Sequence, residues 1–308
     1  MPPALRLRLP ACAALALLLA ACKPPLPPQS PVAPGSPQEA VQRLAGDLAR
    51  ADLAGFARDA LPAGDHAALD RAWREGRSRW PLTVLPLDDK LAPMIVALAA
   101  PDAERRLGAS YDSQFAGQGA EIRQSVRTLA QFGSQYVQNE PNLDAAERAH
   151  YGQLIPALAE WAANAPLADA ARAHQALRGL VAAARASGVH GEADLREPGL
   201  DRGLARLTPF LAALLDAAAG YGLDLRASLA DLRSETATIE GEQARVPVAY
   251  ALAGRVVRTE VRLQRQDGRW YLASALAAAR AARDAAAAVD AAPATPAESG
   301  KPLPAPAP

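Results

Sequence analysis

The hydrophobic repeat of this chain changes period once, near Glu235, and that change limits it to few architectures. Before it, apolar residues return at helical spacing. Ala40, Val41, Leu44 and Leu48 lead to Leu53 and Phe56, then Leu69, Trp73, Gly76 and Trp80, and later Tyr151, Leu154, Ile155, Leu158 and Trp161. This is the pattern of helices with one buried face. After it, Val246, Val248, Tyr250 and Leu252 alternate with small or polar residues. Val257, Thr259, Val261 and Leu263 alternate with Arg258, Glu260, Arg262 and Gln264, as strands with one buried face do. Ala253-Gly254 and Asp267-Gly268 punctuate these runs before Arg269-Trp270-Tyr271-Leu272, and Asp-Gly suits a tight hairpin because both central residues adopt positive φ. The expected fold class is α+β, predominantly helical. A helical region over 38–234 precedes an antiparallel β-meander of three to four strands over 235–273, the fourth being Thr236 to Ile239. The apolar sheet face must be covered, most economically by the preceding helices. Trp270 and Leu272 should share that face with Val261 and Leu263, leaving Tyr271 on the opposite, less costly side.

Local signals set the boundaries. Ser36-Pro37-Gln38-Glu39 reads as a capping box with proline at the first helical position. Asp65 reads as an N-cap that leaves His66 on the surface of a first turn. Breaks fall at Pro81–Asp89, Pro101-Asp102, Asn139–Asn142, Pro166 and the Gly188–Gly199 loop, and Pro156 predicts a kink. Over 274–308 an Ala-rich helix should stand exposed and fraying, with little to bury, and a disordered Pro-rich tail follows from Pro293.

The N-terminus has the parts of an export signal over 1–21: Arg6 and Arg8, an apolar run of about 13 residues from Leu9, and small residues before a cut. That run falls short of the ~20 residues a spanning helix needs. Leu19-Ala20-Ala21-Cys22 resembles the lipobox of bacterial lipoproteins. The resemblance implies diacylglycerol on the Cys22 thiol, cleavage before it, and usually an acylated amine. Lys23 rather than aspartate after the cysteine is similar to outer-membrane sorting signals. The expectation is therefore an exported protein held to a membrane through lipid on Cys22, on the outer membrane facing the periplasm. Residues 22–37 form the lipidated cysteine and a Pro-rich linker, whose polyproline II reach is up to ~43 Å. Of the two cysteines, Cys12 leaves with the signal, so the mature chain has neither a disulfide nor a cysteine metal site.

Charge excludes one class of partner. The chain balances 33 basic against 33 acidic residues, and loss of Arg6 and Arg8 leaves 31 against 33, a formal −2. Nothing there attracts nucleic acid. Motif searches are equally sparse: no Gly-x-Ser-x-Gly, phosphate loop or His-Glu-x-x-His occurs. Glu147 and His150 have Glu-x-x-His spacing, but a bundle di-iron site needs a second pair and two further carboxylates. Neither catalytic nor metal residues are assigned, and no cofactor is expected. Arg71, Arg74, Arg77 and Arg79 surround Trp73 and Trp80, either as a phosphate- or sugar-binding patch or, the favoured reading, as a solvated face over two core tryptophans.

Two stretches carry a second resemblance. Ser36–Val41 with Ala51–Phe56 resembles the opening helix pair of nuclear-transport-factor-like proteins. Val261–Leu272 is similar to the closing hairpin of that cone-shaped fold, particularly in lumazine-binding-like lipoproteins. The resemblance implies a bent sheet around a helix and a pocket, although over 150 mostly helical residues separate the two stretches. Tyr250 and Trp270 with Val248 and Val261 would line that pocket or, the favoured reading, form plain core. No catalytic residue carries over. The reading that follows is a non-enzymatic binding or interaction protein of the envelope, taking an envelope protein partner or a small apolar ligand. The alternatives are an isomerase- or dehydratase-like cone-fold enzyme and a passive spacer between envelope layers.

Overall fold

The computed structural model describes residues 26–29, 32–33, 35–84 and 90–291. The segments expected to be the export signal, the lipobox with Cys22 and the Pro293–Pro308 tail lie outside the described residues. Helices α1 (Pro37–Ala49), α2 (Leu53–Asp59), α3 (Ala63–Arg74), α4 (Leu91–Ala99), α5 (Ala103–Gln114), α6 (Gly119–Asn139), α7 (Ala145–Asn164), α8 (Ala170–Ala186), α9 (Glu192–Arg196), α10 (Leu200–Gly220) and α11 (Leu225–Ala230) precede the sheet. Its strands are β1 (Arg233–Ser234), β2 (Thr238–Glu240), β3 (Gln243–Leu252), β4 (Arg255–Gln266) and β5 (Arg269–Leu272), and α12 (Ala273–Ala291) follows. The helical body and C-terminal antiparallel sheet read from the period change are both present.

Helix α10 organises the main core. Leu200, Leu204, Leu207 and Phe210 recur along one stripe and are buried with Leu69 and Trp73 of α3, Ile95 of α4 and Val181 of α8. Gly203 permits the closest approach: a Cβ there would stand 2.0 Å from the Leu195 carbonyl oxygen. The same carbonyl accepts the Trp73 indole N–H at 2.8 Å, so α3, α9 and α10 meet around one satisfied polar group.

The sheet runs β1-β3-β4-β5, with β2 also on β3, all antiparallel. Val246 pairs with Val261, Ala244 with Leu263 and Leu263 with Leu272, which places the expected residues on one face. Val41 of α1 fills one end of that face beside Ala244, Val246, Val248 and Leu263. Leu154, Leu158 and Trp161 of α7 cover the other, over Leu252 and Val257. Beyond β5 the edge of β4 is sealed by a side chain: Gln153 donates to the Arg258 carbonyl at 2.9 Å and accepts its N–H at 3.0 Å, as a neighbouring strand would. Asp267 and Gly268 have φ of 50° and 77°, the conformation expected of that turn.

Several local expectations are corrected. Helix α12 is not an exposed, fraying rod. Ala275, Leu276, Ala279 and Ala282 are buried, because small side chains let α12 lie close on α3, and Arg283 pairs with Asp65. That pairing also corrects the start of α3, which begins after Pro62 rather than at Asp65. Asp65 is buried, and His66 contacts Asp201 at 3.0 Å instead of standing free on a first turn. Tyr271 points away from the face shared by Trp270, as expected, but the opposite face is not open there. Tyr271 is 6% exposed within the main core beside α12, whereas Trp270 is only half-buried. Trp80 reaches the core from beyond α3, which ends before Gly76 at φ 71°. The capping serine of α1 accepts from the Glu39 N–H at 3.2 Å, but Glu39 reaches the Gly35 N–H, so the reciprocal half closes one residue early.

Candidate functional site

Tyr250 and Trp270 share a sheet face without sharing a pocket. Trp270 belongs to the cluster around Val41, with the Arg265 guanidinium 5.9 Å from its ring centre. Tyr250 belongs to the cluster under α7, at the other end of the face. The cavities described below are lined by neither.

Tyr250 instead meets His150. Its hydroxyl lies 2.9 Å from His150 Nε2, the rings edge-on at 75°. Burial holds the His150 pKa below its usual value and pushes Tyr250 up to about 12. Both shifts have one cause, the cost of charge away from water. Near neutral pH the pair is therefore uncharged, and the imidazole tautomer sets which partner donates. Glu147 plays no part, since it completes a capping box with Asp144 at the start of α7. The Glu-x-x-His spacing is thus divided between a helix cap and an inter-element hydrogen bond. Among the described residues no group of three or more histidine, cysteine, aspartate and glutamate side chains could hold a metal ion.

The remaining histidines each face an aspartate: His66 with Asp201, His174 with Asp112 at 2.9 Å, and the exposed His190 with Asp194. His174 and Asp112 border a groove of about 520 Å³ between α5 and α8, beside Arg105 and Arg178. His174 Nε2 makes no hydrogen bond despite that proximity. In the arginine-rich segment Trp73 and Trp80 are buried, as the core reading expected. Arg74 pairs with Asp70 and Arg77 with Glu75. The cavity beside them measures only about 100 Å³.

A larger groove of about 660 Å³ opens where the α7 C-terminus meets the α10–α11 junction and the β3–β4 hairpin. Trp161 and Tyr221 are its aromatic walls, with Pro166, Ala251, Ala253 and Gly254 around them. The Trp161 indole donates to the Tyr221 carbonyl at 2.9 Å, which fixes its ring. Burial raises the Tyr221 pKa, so its phenol stays neutral. The polar residues at the rim are engaged: Asn164 donates to Glu160, Ser228 to Asp224, Asp224 caps α11, and Glu160 pairs with Arg255.

Two further features had not been singled out from the sequence. Asp47 is buried on α1 with Oδ2 unpartnered. Leu129, Phe132 and Tyr136 stand on α6 at 68%, 67% and 58% exposure. Their i, i+3, i+7 spacing was a legible signal, since it repeats the pattern of a buried face. No helix among the described residues is long and apolar enough to cross a membrane.

No family model, curated protein or solved structure matches this chain.

Proposed function

We propose that this protein is a lipid-anchored lipoprotein of the cell envelope, on the outer membrane facing the periplasm, and that it works by binding a small apolar ligand rather than by catalysis. The anchor rests on Leu19–Cys22 and the apolar run before it. The binding role rests on the Trp161–Tyr221 groove. Its volume falls within the roughly 300–1,000 Å³ of small-molecule sites, and its walls are mostly apolar with one fixed aromatic ring. Rim groups already paired within the protein favour a ligand that asks for little hydrogen bonding.

Two measurements test this. Cells fed a palmitate analogue should label the wild-type chain and not Cys22→Ser, and equal label on both would reject the anchor. The full chain should enhance the fluorescence of N-phenylnaphthylamine, and Trp161→Ala should lower that binding several-fold. A Trp161→Ala chain that folds and binds the probe as the wild type does would reject the groove as the site.

The cone-fold enzyme remains the second reading because the Tyr250 hydroxyl meets a histidine at 2.9 Å, a pair that could pass a proton. It is the weaker reading, since neither partner lines the groove.

A further inference from the structure

Helix α6 carries more apolar surface than α7 covers. Ile122, Val126, Gly133 and Val137 follow one side, where Val137 is buried, its carbonyl accepts from Arg148 of α7, and a side chain at Gly133 would stand 3.6 Å from Ile155. Leu129, Phe132 and Tyr136 form a second stripe beside it, turned to solvent. Tyr151, 40% exposed, lies on α7 between Arg148 and Ile155, both of which touch α6, and so extends the patch.

We infer that this α6 face docks on the lipid surface to which Cys22 tethers the chain. The inference rests on the lipid-anchor reading above. At about 200 Å² for a large side chain, the four exposed residues offer roughly 450 Å². A stable protein interface takes about 800 Å² from each partner, so the patch is too small to hold a second copy on its own. A surface already tethered by acyl chains needs no such area, because the lipid supplies the affinity and the patch only orients the domain.

The tether is also short. Gln29 is already bonded to the buried Ser234 at 3.1 Å. At ~3.1 Å per residue, the stretch from Cys22 to Gln29 spans only about 22 Å. The domain must therefore rest near the bilayer, where a helix lying in the interface buries its apolar face by about 5–10 Å. None of the four residues is charged, and the one carboxylate bonded to them, Glu140 on the Tyr136 hydroxyl, is acidic, so anionic lipid should not strengthen the contact.

The test uses the full lipidated chain in vesicles of phosphatidylethanolamine and phosphatidylglycerol. Acylated Cys22 has no free thiol, so an environment-sensitive fluorophore can be placed on Ser125→Cys, in line with the α6 stripe, or on Gln175→Cys of α8 as control. The expected result is blue-shifted emission at position 125, quenched by spin-labelled lipid, with aqueous emission at 175. Adding Phe132→Glu should return position 125 to aqueous emission while the protein stays on the vesicles. Aqueous emission at 125 in vesicle-bound protein overturns lipid docking and leaves the anchor intact. A shift that grows with protein-to-lipid ratio identifies a second copy as the occupant and also overturns it. Fluorophore attached to wild-type Cys22, with protein that pellets without the vesicles, overturns the anchor and the docking together.

Discussion

Replacing Asp47 by asparagine should stabilise the protein at neutral pH and do nothing at pH 4. Asp47 is 4% exposed on its side chain, accepts from Arg50 through Oδ1 and leaves Oδ2 without a partner. Burial, and then the neighbouring Asp59 carboxylate, push its pKa from 3.8 to about 6. The folded state therefore holds this proton more tightly than the unfolded chain. Between about pH 4 and pH 6 it binds more protons, so stability falls as pH rises through that window. The shift of about 2 units, at ~1.4 kcal/mol each, corresponds to a cost of about 3 kcal/mol at pH 7. The Asp47→Asn change also gives up the attraction of Arg50, so the net gain should be about 1–3 kcal/mol. Urea melts of both chains at pH 4, 5, 6 and 7.5 isolate the effect, since every other titrating group is common to both. A loss of stability at pH 7.5, or a difference independent of pH, would refute the argument.

Four further substitutions probe the sheet. Tyr271→Ala, in the main core, should cost about 3–5 kcal/mol, and the half-buried Trp270→Ala less, so a larger loss at Trp270 in urea melts would mean α12 does not cover Tyr271. Ala253 holds φ 51° in the β3–β4 turn, and Ala253→Gly should add about 0.5–1 kcal/mol by removing left-handed strain, read as a higher melting temperature in calorimetry. Tyr250→Phe strips His150 of its partner and should cost about 1–2 kcal/mol in the same melts, while leaving N-phenylnaphthylamine binding unchanged; lost binding would move the site from the groove to this pair.

Strand register was readable because its signal is local and redundant. A slip of one residue would turn Val246, Val248, Val261 and Leu263 to the wrong side together, and Asp267-Gly268 fixes the turn independently. What was not readable depended on the second surface in each contact. Tyr271 alternates to the side that should face water in a half-covered sheet, and only the return of α12 makes that side interior. Alanine misleads in the same way. In isolation it contributes helix propensity and little to bury, yet Ala275, Ala279 and Ala282 serve α12 because they are small enough for close packing on α3. Asp65 looked like a helix cap because a buried aspartate is rare unless paired, and its partner Arg283 is 218 residues away.

The candidate sites follow the same division. Tyr250 was legible as a strand residue on the covered face, and His150 as a helical residue with an acid three positions before it. Their pairing requires knowing which turn of α7 lies beside Tyr250, information carried by the packing of Leu154, Leu158 and Trp161 and not by either residue's neighbours. The groove beside Trp161 was harder still. Its walls come from α7, from the α10–α11 junction and from a β-hairpin, and each segment reads separately as ordinary core or turn. The α6 stripe is the inverse case. Leu129, Phe132 and Tyr136 have the spacing of a buried face, and periodicity alone assigns such a face to the interior. Because α7 occupies the adjacent arc of that helix and nothing else in the described chain packs on the stripe, an ordinary core pattern becomes an exposed patch. Such patches on soluble surfaces mark contact with something else. A pattern that is correct for burial but lacks an internal partner is therefore the most informative place to look for an external one.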